Sequence, residues 1–314
     1  MPYDVAVVGL YILDILGRPV SRIPERGGVE FIEEIRLTVA GTAGGTVVDC
    51  AKLGLKCRAV GAVGEDEKAD FVLSTLERYG IDTSTMQRVP GVPTSATILN
   101  IRPNGERPAL HVRGASDHFD LGPEHYDAVL DARFVHLGGT GLLRRLDQGG
   151  AERLLREAKA RGRRTTFDLI AATRETISLV KPLLPHIDYF MPSVEEARDM
   201  SGLDRIEDVA RFYLDHGVKV CALTMGGEGS YVATPDGAFR VPAFEVKVVD
   251  TTGCGDAYDA GFIAGLSRGF DLETCARFAT AASALVATGL GSDAGIRSFE
   301  DTLAKMRSLP VRKG

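Results

Sequence analysis

The chain has no run of about 18 apolar residues, so nothing in it reads as a membrane span. Its five cysteines, at 50, 57, 221, 254 and 275, form no CxxC pair, and its six histidines miss the spacing of metal ligands. These absences argue against a disulfide framework and against zinc held by Cys and His. They point to reduced thiols in a cytoplasm. Basic residues are outnumbered, with 37 Lys and Arg against 43 Asp and Glu. The net charge of −6 disfavours nucleic acid and anionic membranes as partners. One dense basic patch, RGRR at 161–164, reads as a solvated corner between a helix and a strand.

Two phosphate-binding fingerprints are also missing. No Gly-Lys pair occurs, which excludes the P-loop, and a strict GxGxxG is absent. A looser GxGxxA at Gly289, Gly291 and Ala294 follows a helical stretch instead of a strand. GLSRG at 265–269 matches the hydrolase elbow, but Ser267 falls near a helix end, where the elbow geometry is not available.

What is present is 314 residues, 44% hydrophobic, without internal repeat, low-complexity tract or clear linker. That suits one domain spanning 1–314. The opening MPYDVAVVGLYILDIL carries Asp4 and Asp14 and lacks a basic start, so it reads as a first buried strand and not as a signal peptide. Apolar runs at 5–8, 58–63, 134–137, 165–169, 187–191 and 218–223 read as strands. Helices are expected at 65–79, 147–161, 174–184, from Val194 behind a Ser193 cap, at about 256–267 and at 272–288. Repeated strand–helix units predict a mostly parallel sheet with helices on both faces. Segments at about 15–40 and 92–113 differ from the rest: they alternate, and the second contains the hairpin turn PNGE. They are expected to pair into a small separate sheet.

The most informative stretch is VVDTTGCGDAYDAGFIAGL at 248–266. Gly253 and Gly255 permit unusual backbone angles and leave amides uncovered just where a helix begins. Such a terminus attracts phosphate. Asp256 beside an anion site is costly unless it has a task, and taking a proton from a hydroxyl that attacks phosphorus is one. A capping aspartate after a tight glycine turn is the alternative.

DTTGCGDAYDAGF closely resembles the C-terminal signature of the ribokinase-like (phosphofructokinase B) carbohydrate kinases, with Cys254 for Ala and Tyr258 for Phe. The likeness extends along most of the chain. GLYILD looks like the opening strand whose Asp, here Asp14, holds sugar hydroxyls. AGGTVVDCAKLG, with Gly44, Gly45 and Asp49, is similar to the N-terminal signature. MPSVEEA resembles PNxxE, and TMGGEGSYV resembles the TxGxxG nucleotide loop.

The resemblance implies a three-layer α/β/α sandwich with a mostly parallel central sheet and a small β-sheet lid. It implies ATP-dependent phosphorylation of the primary hydroxyl of a small sugar, with a nucleoside kinase as the alternative. Asp256 would be the general base, and the amides of Gly253, Cys254 and Gly255 the anion hole. Ser193, Thr224, Gly226 and Gly229, with Gly253 and Gly255, would line the ATP site. Glu196 would organise magnesium through water. Asp250 and Thr252, with the region around Gly291, match positions for a monovalent cation such as potassium. Asp168 is carried over from a DxNxR pattern whose Asn is missing here. Asp49 replaces the family's Asn, and the expectation is a substrate presenting two donors, such as a diol or an amine. Arg113 is a candidate clamp for an acidic sugar or phosphate. The helix terminus is expected to lower the Cys254 pKa. Phe31 and Phe119 are the candidate shelf for a nucleoside base. A non-catalytic binding protein on this fold is the reading from another class. Exposed strand edges on the lid suggest a homodimer.

Overall fold

In the computed structural model, which describes residues 1–104 and 106–312, the apolar run at 5–8 is the middle of the strand Tyr3–Gly9. Its neighbours in sequence feed opposite sides. Val5 and Val7 enter one core cluster, and Ala6 and Val8 the other. That is the pattern of a parallel strand buried on both faces. The central sheet has eight strands in the order Gly237–Val241, Ser230–Thr234, Val220–Thr224, Tyr189–Phe190, Arg164–Leu169, Ala132–Thr140, Tyr3–Gly9 and Cys57–Val60. The last six are parallel, and the first two join them antiparallel. Helices Thr42–Lys52, Glu67–Arg78, Cys254–Ser267 and Leu272–Val286 cover one face; Gly150–Ala160, Val194–Ser201 and Ile206–Asp215 cover the other. No helix among the described residues is long and apolar enough to cross a membrane.

Tyr3–Gly9 is flanked by strands that come much later (Ala132–Thr140) and next but two (Cys57–Val60) in the chain. The order of the sheet reverses there, which opens a crevice beyond the carboxyl ends of the strands. Helix Thr42–Lys52 starts in that crevice, and the amides of Ala43 and Gly44 donate to Leu10 O at 3.2 and 3.1 Å.

The expected small separate sheet is present, with four strands in the order Glu34–Ala40, Ile12–Arg18, Ala96–Asn100 and Ala109–Val112. Gly105 of the PNGE turn lies outside the described residues. Asp14 belongs to this sheet and not to the opening strand of the central one. Period-two alternation gives the sheet two unlike faces. Thr38, Asp14, Thr97 and His111 lie opposite one another across all four strands. One residue along, Leu37, Ile15, Ile98 and Leu110 form the corresponding row on the other face.

Several elements depart from the sequence reading. Thr42–Lys52 contains two glycines and β-branched residues, poor helix formers, yet it is an 11-residue helix because burial overrides propensity. The helix expected at 174–184 shrinks to Ile177–Val180 between short 3₁₀ turns, with Pro182 and Pro185 blocking its continuation. The run 58–63 divides at Gly61: Cys57–Val60 joins the central sheet, and Ala62–Val63 pairs with Gln87–Arg88. Helices Ile206–Asp215 and Phe299–Ser308 and the hairpin 230–241 were not anticipated.

Candidate active site

The turn before helix Cys254–Ser267 is built by Asp250. Its Oδ1 accepts from Thr252 N at 3.0 Å and Thr252 Oγ1 at 2.8 Å, and its Oδ2 accepts from Gly291 N at 3.0 Å. The chain then passes through Gly253 at φ 79°, a left-handed conformation that favours glycine. A Cβ at Gly253 would also meet Ser292 Cα at 2.4 Å. Beyond it the helix begins with Cys254. The Cys254 amide donates to Thr251 O at 3.3 Å, whereas the amides of Gly253, Gly255 and Asp256 have no backbone partner among the described residues. The uncovered donors are therefore 253, 255 and 256, and not Cys254 as the motif alone suggested.

Asp256, on the first turn, is 9% exposed and packs against Gly45. Burial pushes its carboxyl up to about 7, and the Asp14 charge adds to the rise. Asp14, 5% exposed, rises to about 6, chiefly through burial and also through the Asp250 charge, with Thr97 and Arg107 opposing. Beside it on the same row, Thr97 Oγ1 and His111 Nδ1 lie 3.1 Å apart. Asp49 is fully buried, and neither carboxylate oxygen has a hydrogen-bond partner among the described residues. Its carboxyl is raised well above the ordinary range by burial, with Lys52 lowering it and the charges of Asp256 and Asp293 adding to the rise.

On the other side of the Gly253 turn lies a cleft of about 920 Å³. Thr224, Gly226 and Gly229 line it together with Thr251, Cys254 and Gly255. The two glycine-containing segments singled out in the sequence thus meet in one cavity of a size suited to a nucleotide-sized ligand. Ser193 is absent from its walls. The Ser193 hydroxyl instead caps helix Val194–Ser201, accepting from Glu196 N at 3.3 Å and donating to Glu196 Oε2 at 2.7 Å. Glu196 also accepts from Ala172 N at 3.4 Å. Asp168 faces the turn, its Oδ2 lying 3.9 Å from where a Gly255 Cβ would sit. Burial raises the carboxyls of both Asp168 and Glu196, and the Glu196 and Asp256 charges add to the rise at Asp168.

Cys254 corrects an expectation. Burial outweighs the helix terminus and pushes the thiol up to about 12, with its Sγ 3.6 Å from Ser283 O. Arg113 ends the small sheet with its side chain 56% exposed, 3.6 Å from Asp117. Phe119 is fully buried in the core and Phe31 is 94% exposed, so neither forms a shelf.

Two residues escaped the sequence reading. Arg107, in the loop of the small sheet, donates to Thr252 Oγ1 at 3.2 Å and lies 3.6 Å from Asp250. Asp259, one turn after Asp256, is fully buried 3.9 Å from His136 Nε2, and neither of its oxygens has a hydrogen-bond partner among the described residues. Its only sequence signal was an acid three residues after another on a helix otherwise rich in small residues.

The parallel sheet, the small second sheet and the glycine turn at the crevice define a ribokinase-like fold. Among solved structures, ribokinase from Arabidopsis thaliana complexed with ribose and ATP superposes with a TM-score of 0.83 at 23% identity, covering 98% of this chain and 99% of that one. Deoxyribokinase of Salmonella typhi is 27% identical over 303 residues, 95% of this chain and 96% of its own. The 2-dehydro-3-deoxygluconokinase of Thermoproteus tenax is 26% identical over 307 residues, 94% of each. The model of the pfkB family of carbohydrate kinases matches residues 3–298, and the chain belongs to that family. It is a carbohydrate kinase.

Proposed function

We propose that the protein transfers the γ-phosphoryl group of ATP to the primary hydroxyl of a small sugar, with Asp256 as general base. The carrying observation is the division of the site by one turn. Cys254 and Gly255 line the 920 Å³ cleft, while Asp256, the next residue, packs against Gly45. A nucleotide in the cleft and a sugar under the small sheet meet across that turn. Asp256 takes the hydroxyl proton as the oxygen bonds to phosphorus and the bond to the β-phosphate oxygen breaks. The amides of Gly253, Gly255 and Asp256 stabilise charge on the transferring group. Asp14 and Asp49 accept from sugar hydroxyls, with Gly44 and Gly45 giving the sugar close approach to helix Thr42–Lys52. The small sheet acts as a lid that excludes water.

Magnesium fits the residues present. Glu196 and Asp168 are oxygen donors, and among the described residues neither has a Lys, Arg or His within ion-pair range. These residues would hold the ion through water, and it would supply neutralisation of the phosphates. No group of three acids, histidines or cysteines among the described residues is placed to hold a metal alone. A potassium ion here would be held through carbonyls near Asp250 and Thr252 and the later loop around Gly291, and not through the side chains. The Asp250 oxygens are engaged by three donors and Arg107 stands beside them, so no step is routed through such an ion.

The exposed apolar residues on the outer face of the lid, Leu37, Ile98 and Leu110, support a homodimer. Leu37, Ile98 and Leu110 are 45%, 46% and 67% exposed, and Ile35 and Val112 beside them 69% and 53%. A monomer would leave this apolar patch in water.

ADP release with MgATP across pentoses, hexoses, sugar acids and nucleosides, beside Asp256→Asn, tests the reading. One class turning over, with a loss of several orders of magnitude in the variant, supports it. Nucleotide binding without turnover of any acceptor overturns it.

A further inference from the structure

Family membership leaves the charge of the acceptor open, and the site's own ion pairing bears on it. Arg36, Lys52, Arg107 and Arg113 stand on or beside the elements that border the acceptor side, and each of these already has a carboxylate. Arg36 pairs with Asp293 at 2.8 Å and also donates to Leu290 O. Lys52 lies 3.7 Å from Asp293 and donates to its backbone oxygen. Arg107 faces Asp250 at 3.6 Å, and Arg113 faces Asp117 at 3.6 Å. By contrast Asp14, Asp49 and Asp256, all buried, have no cation within ion-pair range among the described residues. Arg18 shares the Asp14 face of its strand but sits four residues on, about 13 Å away. The apolar cluster of Leu16, Leu99, Ile101 and Leu290 lies between them.

We infer that the acceptor carries no anionic group: the site takes a neutral polyol or an amine-bearing sugar and rejects sugar acids and sugar phosphates. The inference rests on the kinase reading above and adds the substrate class to it. A carboxylate or phosphate on the acceptor would enter a low-dielectric space beside three acids, with those four cations already paired. Hydroxyls and ammonium groups, by contrast, bring the donors that those acids lack. Asp49 carries the sharpest part of this argument. Its two oxygens are buried with no donor from the protein, and the donors of a hydroxyl or ammonium group would supply what they lack. Arg113 is not the clamp for an acidic group, since its side chain is turned to solvent and to Asp117.

The test is a set of matched acceptors on five- and six-carbon scaffolds: the neutral sugar, its 2-amino form, its aldonic acid, and a ketose phosphate with a free primary hydroxyl. The expected kcat/KM with MgATP is at least ~10-fold higher for the neutral and amino forms than for the acid and phosphate. Asp49→Asn narrows that ratio and removes any preference for the amine. A wild-type preference for the acid or phosphate overturns the inference and leaves the kinase reading standing. Failure of every acceptor, with MgATP still bound, overturns both. An unchanged ratio in both Asp49→Asn and Asp14→Asn overturns the electrostatic basis.

Discussion

Gly45 stands directly against Asp256: a Cβ on Gly45 would come within 2.2 Å of Asp256 Oδ2 and 2.8 Å of its Cγ. Helices Thr42–Lys52 and Cys254–Ser267 touch through that missing methyl group. Gly45→Ala is expected to push the carboxylate aside and lower kcat by roughly 100-fold, because misplacement on the ångström scale suffices. Circular dichroism and the thermal midpoint should change little, since the methyl displaces one side chain and not the helix. A kcat within twofold of wild type would show that Asp256 has no positional role.

Asp256 should cost the fold stability in return for its chemistry. A carboxyl that titrates near 7 when folded and at 3.8 when exposed holds its proton more tightly in the native state. Its contribution is fully favourable below pH 3.8 and is lost as pH rises toward 7. Asp256→Asn removes that penalty. The variant is expected to be more stable than wild type by about 2–4 kcal/mol at pH 8 and nearly equal to it at pH 4, by denaturant titration. Its activity should fall by several orders of magnitude.

The same carboxyl should govern the pH–rate profile. With Asp256 as the proposed base, which works when ionised, kcat/KM should rise with pH through an apparent pKa near 7. Since the Asp14 charge contributes to that elevation, Asp14→Asn should move the limb to lower pH while raising KM for the sugar. A limb that stays in place in the variant would remove Asp14 from electrostatic contact with the base.

Cys254 is expected to be inert. With burial holding the thiol near 12, almost none is thiolate at pH 8, and iodoacetamide should leave activity intact. Rapid inactivation, prevented by MgATP, would contradict the burial described here.

The dimer proposal predicts that Leu110→Asp, on the exposed row of the lid, yields a monomer by sedimentation. Wild type should sediment at twice that mass. A wild-type monomer at micromolar concentration would dispose of the proposal.

Much of this was legible in the sequence because it depends on short-range chemistry. The glycine turn before Asp256, the Ser193 cap and the alternation at 34–40 are local patterns, whereas Asp14 reads as part of the opening strand because the run from Val5 to Leu16 is apolar apart from Asp14 itself. Helix Thr42–Lys52 was not readable from propensity, because only its packing against helix Cys254–Ser267 makes two glycines an advantage there. The Asp256 carboxyl and the Cys254 thiol show the same limit. The helix terminus is visible in the sequence, but the burial that overrides it comes from Leu272–Val286, which supplies Ser283. Arg107 was missed because a loop arginine gives no hint of where a hairpin will set it down.

The small sheet also carries a consequence for how this chain tolerates change. The row Thr38, Asp14, Thr97 and His111 and the row Leu37, Ile15, Ile98 and Leu110 differ by a single step along the same four strands. A strand that slips by one residue exchanges its member of one row for its member of the other. A one-residue register slip set off by a length change in the connections at 19–33 or 101–108 would therefore alter the row proposed to face the sugar and the outward surface together. Lineages that diverge by such length changes would be expected to shift acceptor and assembly at once, whereas point substitutions can alter either separately.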